Sequence, residues 1–208
     1  VTRILLFGAS GYAGSRIRDE ALRRGHQVTA VSRGGPVAAS LYDRDAVLRL
    51  AEDADVLVSA ITSGPDAAGN TLPDAVPILV AAAQRSGVRI GVVGGAGGLL
   101  LSEGGEQVIS RLAAIAPPDK LRDIALHIDF LDRLRETPED VDWFYLSPPT
   151  GFGAHVPGVA RGHYRLGADV LLTDGQGNSE ISGDDFAVAF LDEIEDPRHR
   201  RRRFTVAY

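Results

Sequence analysis

The sequence predicts a doubly wound α/β fold: a parallel sheet with helices on both faces and a small cap on one side. Three observations carry that expectation. Short apolar runs alternate with amphipathic stretches through the first half of the chain. No segment repeats another, which sets aside solenoids and propellers. Three glycines spaced three apart stand where the first apolar run gives way to a helical pattern. Strands separated by helical stretches cannot close into two-residue hairpins, so they pair in parallel through crossover connections.

The elements follow in order. RILLF (3–7), QVTAVS (27–32), VAASL (37–41), DVLVSAI (55–61) and RIGVV (89–93) read as strands. Between them 12–24, 43–53 and 71–87 read as helices, with Asp43 as N-cap of the second and Gly87 as C-cap of the third. Residues 119–136 show the clearest helical period: Leu121, Ile124, Ile128, Leu131 and Leu134 fall on one stripe. DWFYLS (142–147) reads as another buried strand. Residues 162–182 then read as short strands around turns, 184–195 as a last helix, and FTVAY as the closing strand. The expectation is one domain over 1–208, with 148–182 as a substrate-side cap because it breaks the regular winding.

The stretch RILLFGASGYAGSRI places Gly8, Gly11 and Gly14 between a strand and a helix. In that context the first glycine allows a tight turn, the second lets the backbone meet a pyrophosphate, and the third lets the helix pack close. The helix N-terminus then faces the anion with free N–H groups. Ser10 and Tyr12 flank that position. An acidic residue after the second strand would select NAD through the ribose 2′-hydroxyl, whereas an arginine suits the 2′-phosphate of NADP. The chain has Ser32-Arg33-Gly34-Gly35 and no acid there. NADP is the expected cofactor, NAD the alternative.

Composition narrows the field. With 44% hydrophobic and 24% charged residues the chain is an ordinary globular one. A net charge of -6 argues against nucleic acid as the main partner. The absence of cysteine excludes disulfides and thiol chemistry. No apolar run approaches the ~18 residues of a membrane span, and no leader pattern is visible, so a cytoplasmic protein without a membrane partner is expected. The basic run RHRRRR (198–203) follows the acidic DEIED and reads as a solvated turn whose charges answer those acids.

On these residues the chain resembles the NAD(P)H-binding, NmrA-like branch of the atypical short-chain reductases, and within it a bacterial group labelled NADH-flavin reductases. The resemblance rests on FGASGYAGSRIRDEALRRGHQVTAVSR, GVVGGAG, YRLGADVLLTDGQGNSEIS and DEIEDPRHRRRRFTVAY, nearly the whole chain. PPDKLRDIALHIDFLDRLRE and LSPPTGFG are more distantly similar to the substrate-side helix and loop of the flavin reductase type that reduces biliverdin. The resemblance implies a nicotinamide cofactor at Gly8, Ser10, Gly11, Tyr12, Ala13, Gly14 and Arg33. It places adenine near Ser40 and Leu41, ribose and nicotinamide near Ala60, Ile61 and Thr62, and His127 and Thr150 beside the substrate. The chain departs from the pattern at Ser40, often aspartate in the family, and at Ala96-Gly97-Gly98, where relatives often carry a serine. Thr150 stands where the biliverdin-reducing relative has a histidine.

The Tyr-x-x-x-Lys pair of many short-chain dehydrogenases is missing: the one lysine is Lys120, and residue 116 is alanine. His127 is then the best-placed proton donor for carbonyl chemistry, although its place beside the apolar stripe suits a packing residue equally. His155 and His163 belong to the expected cap, and Tyr164 suits strand packing. A flavin needs only to be stacked on the nicotinamide. The expected activity is reduction of a small flavin-like or quinone-like acceptor, the alternative a non-catalytic redox sensor acting through a protein partner. No residues show a metal-ligand spacing. A monomer or homodimer is expected.

Overall fold

The computed structural model describes residues 1–32 and 34–208. Seven strands form one sheet: β1 (Arg3–Phe7), β2 (Gln27–Val31), β3 (Val56–Ser59), β4 (Arg89–Val93), β5 (Trp143–Ser147), β6 (Arg165–Gly167) and β7 (Arg202–Ala207). Their order is β2-β1-β3-β4-β5-β7-β6. All pairs are parallel except β6 with β7. The helices are α1 (Tyr12–Arg23), α2 (Arg44–Ala51), α3 (Val76–Ser86), α4 (Val108–Leu112), α5 (Pro118–Arg135) and α6 (Gly183–Glu195).

Because side chains alternate along a strand, the sheet divides its apolar residues between two layers. Leu5, Phe7, Leu57, Ile90, Val92, Trp143 and Tyr145 pack against α2, α3 and α5. Ile4, Leu6, Val58, Phe144, Leu146, Phe204 and Val206 pack against α1 and α6. Gly91 makes room in β4 for the second layer: a Cβ there would stand 2.6 Å from Cζ of Phe144. Phe144 in turn lies 4.9 Å from Phe190 between ring centroids. Each such aromatic contributes about 1.5–3 kcal/mol by leaving water.

The local signals act as expected at two helix ends. Asp43 Oδ1 accepts from the Ala46 amide at 3.1 Å and caps α2. Gly87 takes φ 71° at the end of α3, a left-handed conformation open to glycine. The expected helix at 71–87 begins instead as a 3-10 turn at Leu72–Ala75, where prolines 73 and 77 remove amide donors.

Two strand expectations are corrected. Residues 37–41 form no strand: Val37 makes a single bridge to Val31. The chain then turns, with the Asp43 amide on the Ser40 carbonyl and the Tyr42 amide on Ser40 Oγ. Serine and aspartate compete for the backbone there and draw it into a turn. Within 162–182 only β6 is a strand, because Asp174 Oδ1 takes the amides of Gln176 and Asn178 and closes a turn. The α4 turn was not anticipated.

Candidate functional site

Strand order reverses between β1 and β3, since β2 lies on one side of β1 and β3 on the other. A crevice at such a point, beyond the carboxyl ends of the strands, is where open α/β sheets hold ligands. Here the crevice is walled by the turn after β1, residues 60–64 after β3, residues 94–98 after β4 and residues 148–152 after β5.

The β1–α1 turn is built around its glycines. Gly8 has φ 83°, and a Cβ on it would stand 2.6 Å from the Ala60 carbonyl carbon. A side chain at Gly14 would stand 2.8 Å from the Gly8 carbonyl carbon, so α1 packs directly on the turn. Gly11 caps α1 without a side-chain hydrogen bond and is exposed. The first amides of α1 thus point to the crevice with the positive end of the helix dipole behind them. A cradle in which a Cβ on Gly8 or Gly14 would collide with backbone suits a ligand that must come within contact of that backbone.

The remaining candidate residues divide by side chain. Ser10 and Thr62 are exposed at the rim, and Ala13, Ala60 and Ile61 are half-buried against the layers below. Gly8 stands in contact with the backbone of Ala60 and Ile61, the positions expected for ribose and nicotinamide. Ser40 is exposed, whereas Leu41 is 2% exposed and sits in the core layer of α2 and α3. Leu41 therefore supports the rim from beneath. Arg33 lies outside the described residues.

His127 and Thr150 fall in different clusters. The His127 ring packs against Gly95, and Tyr145 Oη lies 3.3 Å from its Nδ1. The same Oη accepts from the Gly95 amide at 2.9 Å. Burial lowers the His127 pKa to about 4, so the ring is neutral at ordinary pH. Burial also raises the Tyr145 hydroxyl, against opposing effects of the Gly95 amide and of Arg203 and Arg135. Thr150 is exposed, and its Oγ1 lies 3.5 Å from the Ser179 carbonyl.

Three features of the crevice were not anticipated. Tyr145 reads in the sequence only as part of an apolar strand, and its hydroxyl carries the Gly95 loop. Asp123, one turn before His127, reaches residue 64: a Cβ on Gly64 would stand 3.0 Å from its Oδ1. Its position one helical turn from His127 was the available signal. The Tyr12 side chain turns to the segment after β5, where its hydroxyl donates to the Pro157 carbonyl at 2.9 Å.

Among the described residues no group of three His, Asp or Glu is arranged to hold a metal, and no helix is long and apolar enough to cross a membrane. Most of the arginine run is paired: Arg198 with Asp196, His199 with Glu193, Arg200 with Asp142, Arg203 with Asp169, while Arg202 is exposed. Arg201 donates to the carbonyls of Thr137, Pro138 and Val141.

A glycine cradle opening a helix at the switch point of a parallel sheet defines a Rossmann-like protein. The chain belongs to the same family as YwnB, an uncharacterized protein of Bacillus subtilis, with which it shares 31% identity over 211 residues, 98% of this chain and 97% of that protein. No family model matches the chain. Among solved structures, an inferred exported protein from Burkholderia pseudomallei is 37% identical with a TM-score of 0.82, covering all of both chains. An inferred epimerase from Bacteroides thetaiotaomicron is 32% identical with a TM-score of 0.83, over 100% of this chain and 97% of that one. A Streptococcus pneumoniae protein assigned by inference as an NADH-flavin reductase is 26% identical with a TM-score of 0.74, over 100% and 99%.

Proposed function

We propose that this chain is an NmrA-like, NAD(P)H-dependent reductase of a planar acceptor of flavin or quinone type, working in the cytoplasm with NADPH as its preferred reductant. The observation that carries the reading is the setting of His127, whose ring packs against Gly95 with Nδ1 3.3 Å from Tyr145 Oη. The best-placed imidazole is held neutral and engaged with Tyr145. With the Tyr-x-x-x-Lys pair also absent, the residues considered for donating a proton to a carbonyl oxygen are both missing from that role. Positioned acid catalysis typically contributes ~10²–10⁴-fold, and an acceptor that draws its proton from water forgoes little without it.

The residues fit a dinucleotide. The backbone of residues 8–14 would take the pyrophosphate, Ala60, Ile61 and Thr62 the nicotinamide half, Ser40 and the rim over Leu41 the adenine, and Arg33 the 2′-phosphate. When bound, the nicotinamide supplies a hydride. The chain's part is to stack the acceptor beside it, between the Gly95 loop and the cap at 148–182, with Thr150 at its edge. The Streptococcus pneumoniae relative, named for the same chemistry, supports the reading.

The test is NADPH oxidation with flavin, a quinone and a panel of ketones side by side. Flavin or quinone turnover well above ketone turnover is expected. Equal ketone rates would reveal an acid among other residues, Asp123 first. Tight NADPH binding without oxidation by any acceptor would turn the reading to a redox sensor, or to an epimerase that returns its hydride. For the cofactor, Arg33→Ala should weaken NADPH several-fold and leave NADH nearly unchanged, since a charge-assisted bond contributes roughly 1.5–3 kcal/mol.

A further inference from the structure

Tyr12 sits at the first position of α1, inside the glycine turn, where a dinucleotide contact was expected. Its side chain is committed elsewhere. The hydroxyl donates to the Pro157 carbonyl, 145 residues away, and the ring meets Phe152 edge-on with centroids 5.4 Å apart. Phe152 lies on Phe186 of α6 at 4.5 Å. The Arg16 guanidinium stacks over the Tyr12 ring at 4.0 Å. Gly183 at the start of α6 makes room for this stack, since a Cβ there would stand 2.9 Å from Tyr12 Cζ. The far end of the same segment is also tied down. The amides of Arg161 and Gly162 donate to Asp185, and Tyr208 Oη meets the Val159 carbonyl at 3.0 Å. Residues 153–156, between these anchors, make a single exposed turn carrying His155.

We propose that Tyr12 is a positioning residue for the acceptor: its side chain pins residues 151–162 as a strap forming one wall of the crevice, while its backbone amide alone serves the dinucleotide. This deepens the function proposed above and rests on its two-ligand reading of the crevice. A tyrosine hydroxyl at the first turn of a helix satisfies none of that helix's own amides, so it adds nothing to α1 that phenylalanine would not. Its bond reaches the strap instead. The half-buried rings of Tyr12 and Phe152 meet edge-on over the buried Phe186, and Phe152 continues the chain from the Pro148-Pro149-Thr150 turn at the end of β5. A planar ring lodged between this wall and the Gly95 loop would lie across the mouth of the dinucleotide cradle. Acceptor and cofactor affinity are therefore separable at this one residue.

Tyr12→Phe and Phe152→Leu provide the test, with FMN as the acceptor probe and NADP⁺ as the dinucleotide. Hydrogen exchange across residues 153–162 is measured in the free protein, FMN affinity by flavin fluorescence at saturating NADP⁺, and NADP⁺ affinity by calorimetry. Loss of one hydrogen bond should speed strap exchange and weaken FMN roughly three- to tenfold, leaving NADP⁺ within about twofold of wild type. Phe152→Leu, which keeps the hydroxyl bond and removes the aromatic wall, should weaken FMN further without touching NADP⁺. Unchanged strap exchange in Tyr12→Phe, FMN affinity equal to wild type in both variants, or parallel losses of FMN and NADP⁺ would each overturn the proposal. So would failure of FMN to bind the wild-type protein. A wild-type protein that binds FMN beside NADP⁺ yet oxidises no NADPH would defeat the reductase reading and leave the role of Tyr12 standing on the exchange and affinity results.

Discussion

The two ends of the sheet are made of different material. At the carboxyl ends of the strands stand glycines 8, 11, 94 and 95, prolines 148 and 149 and backbone amides, with few ion pairs. At the amino ends, charges interlock. Arg24 bonds Glu20, Asp192 and Glu195, His26 meets Glu195, and Arg89 sits between Glu193 and Asp142. A groove of about 360 Å³ lies at this charged end, lined by Tyr164, Asp192, Glu195, Asp196 and Phe204. Its acids already have partners: Tyr164 and Arg24 on Asp192, Arg198 on Asp196. The difference teaches that binding capacity lies where backbone donors are left unpaired, while the paired end closes the fold.

The sharpest break of that contrast is Glu193→Ala. It would leave the Arg89 guanidinium, nine-tenths buried, without its main carboxylate. Burial alone would raise the Glu193 pKa, but the bonds from Arg89 and His199 outweigh it and hold it below the ordinary 4.5. Removing one partner of a buried pair costs about 3–5 kcal/mol. Denaturant unfolding should show that loss, with dinucleotide affinity of the folded fraction unchanged. A loss under about 1 kcal/mol would mean that Asp142 alone suffices for Arg89.

Gly8→Ala attacks the open end. It forces a side chain into φ 83° and onto the Ala60 carbonyl, so about 2–3 kcal/mol of stability should go, and dinucleotide binding at least tenfold with it. Retained binding would remove the glycine turn from the site.

Acidification separates the ends by pH. The His127 pKa falls from 6.5 to about 4 in the folded chain, so the unfolded chain takes up its proton first. Stability is complete above pH 6.5 and declines as pH falls toward 4, by an amount on the order of 3 kcal/mol at ~1.4 kcal/mol per pKa unit. Asp185 and Glu193, held below 3.8 and 4.5, lose their contributions only as pH falls below those values. Melting curves of His127→Gln should be flat between pH 6.5 and 5, where wild type slopes. Parallel slopes would place the titration in another group.

The smallest effect serves as a control. Gly87 is left-handed like Gly8, but a Cβ on it meets nothing within 4 Å. Gly87→Ala should cost about 1 kcal/mol from backbone strain alone, leaving ligand affinity untouched. A larger loss would show that the strain at Gly8 explains more of its effect than the collision does.

The geometry of the candidate glycine turn was legible because it is local. Gly8, Gly11 and Gly14 act within seven residues of one another, and Asp43 caps a helix three residues on. The strand expected at 37–41 shows the limit of pattern: the short apolar run is there, but Ser40 takes the amides of Tyr42 and Asp43 and closes a turn. The arginine run could be matched to the neighbouring acids Glu193 and Asp196, but not to Asp142 or Asp169, which arrive from other elements.

By itself the sequence determined the winding of the sheet, the glycine turn and the missing Tyr-x-x-x-Lys pair, since periodicity, backbone dihedrals and residue identity are properties of neighbouring residues. Tertiary structure alone decided that His127 faces Tyr145 and is neutral, that Leu41 belongs to the core, and that the Tyr12 hydroxyl reaches Pro157. Those outcomes depend on desolvation and on partners brought in from 18 to 145 residues away. Such partners meet only when the sheet assembles, and a side chain's charge and hydrogen bonds follow from the company it then keeps.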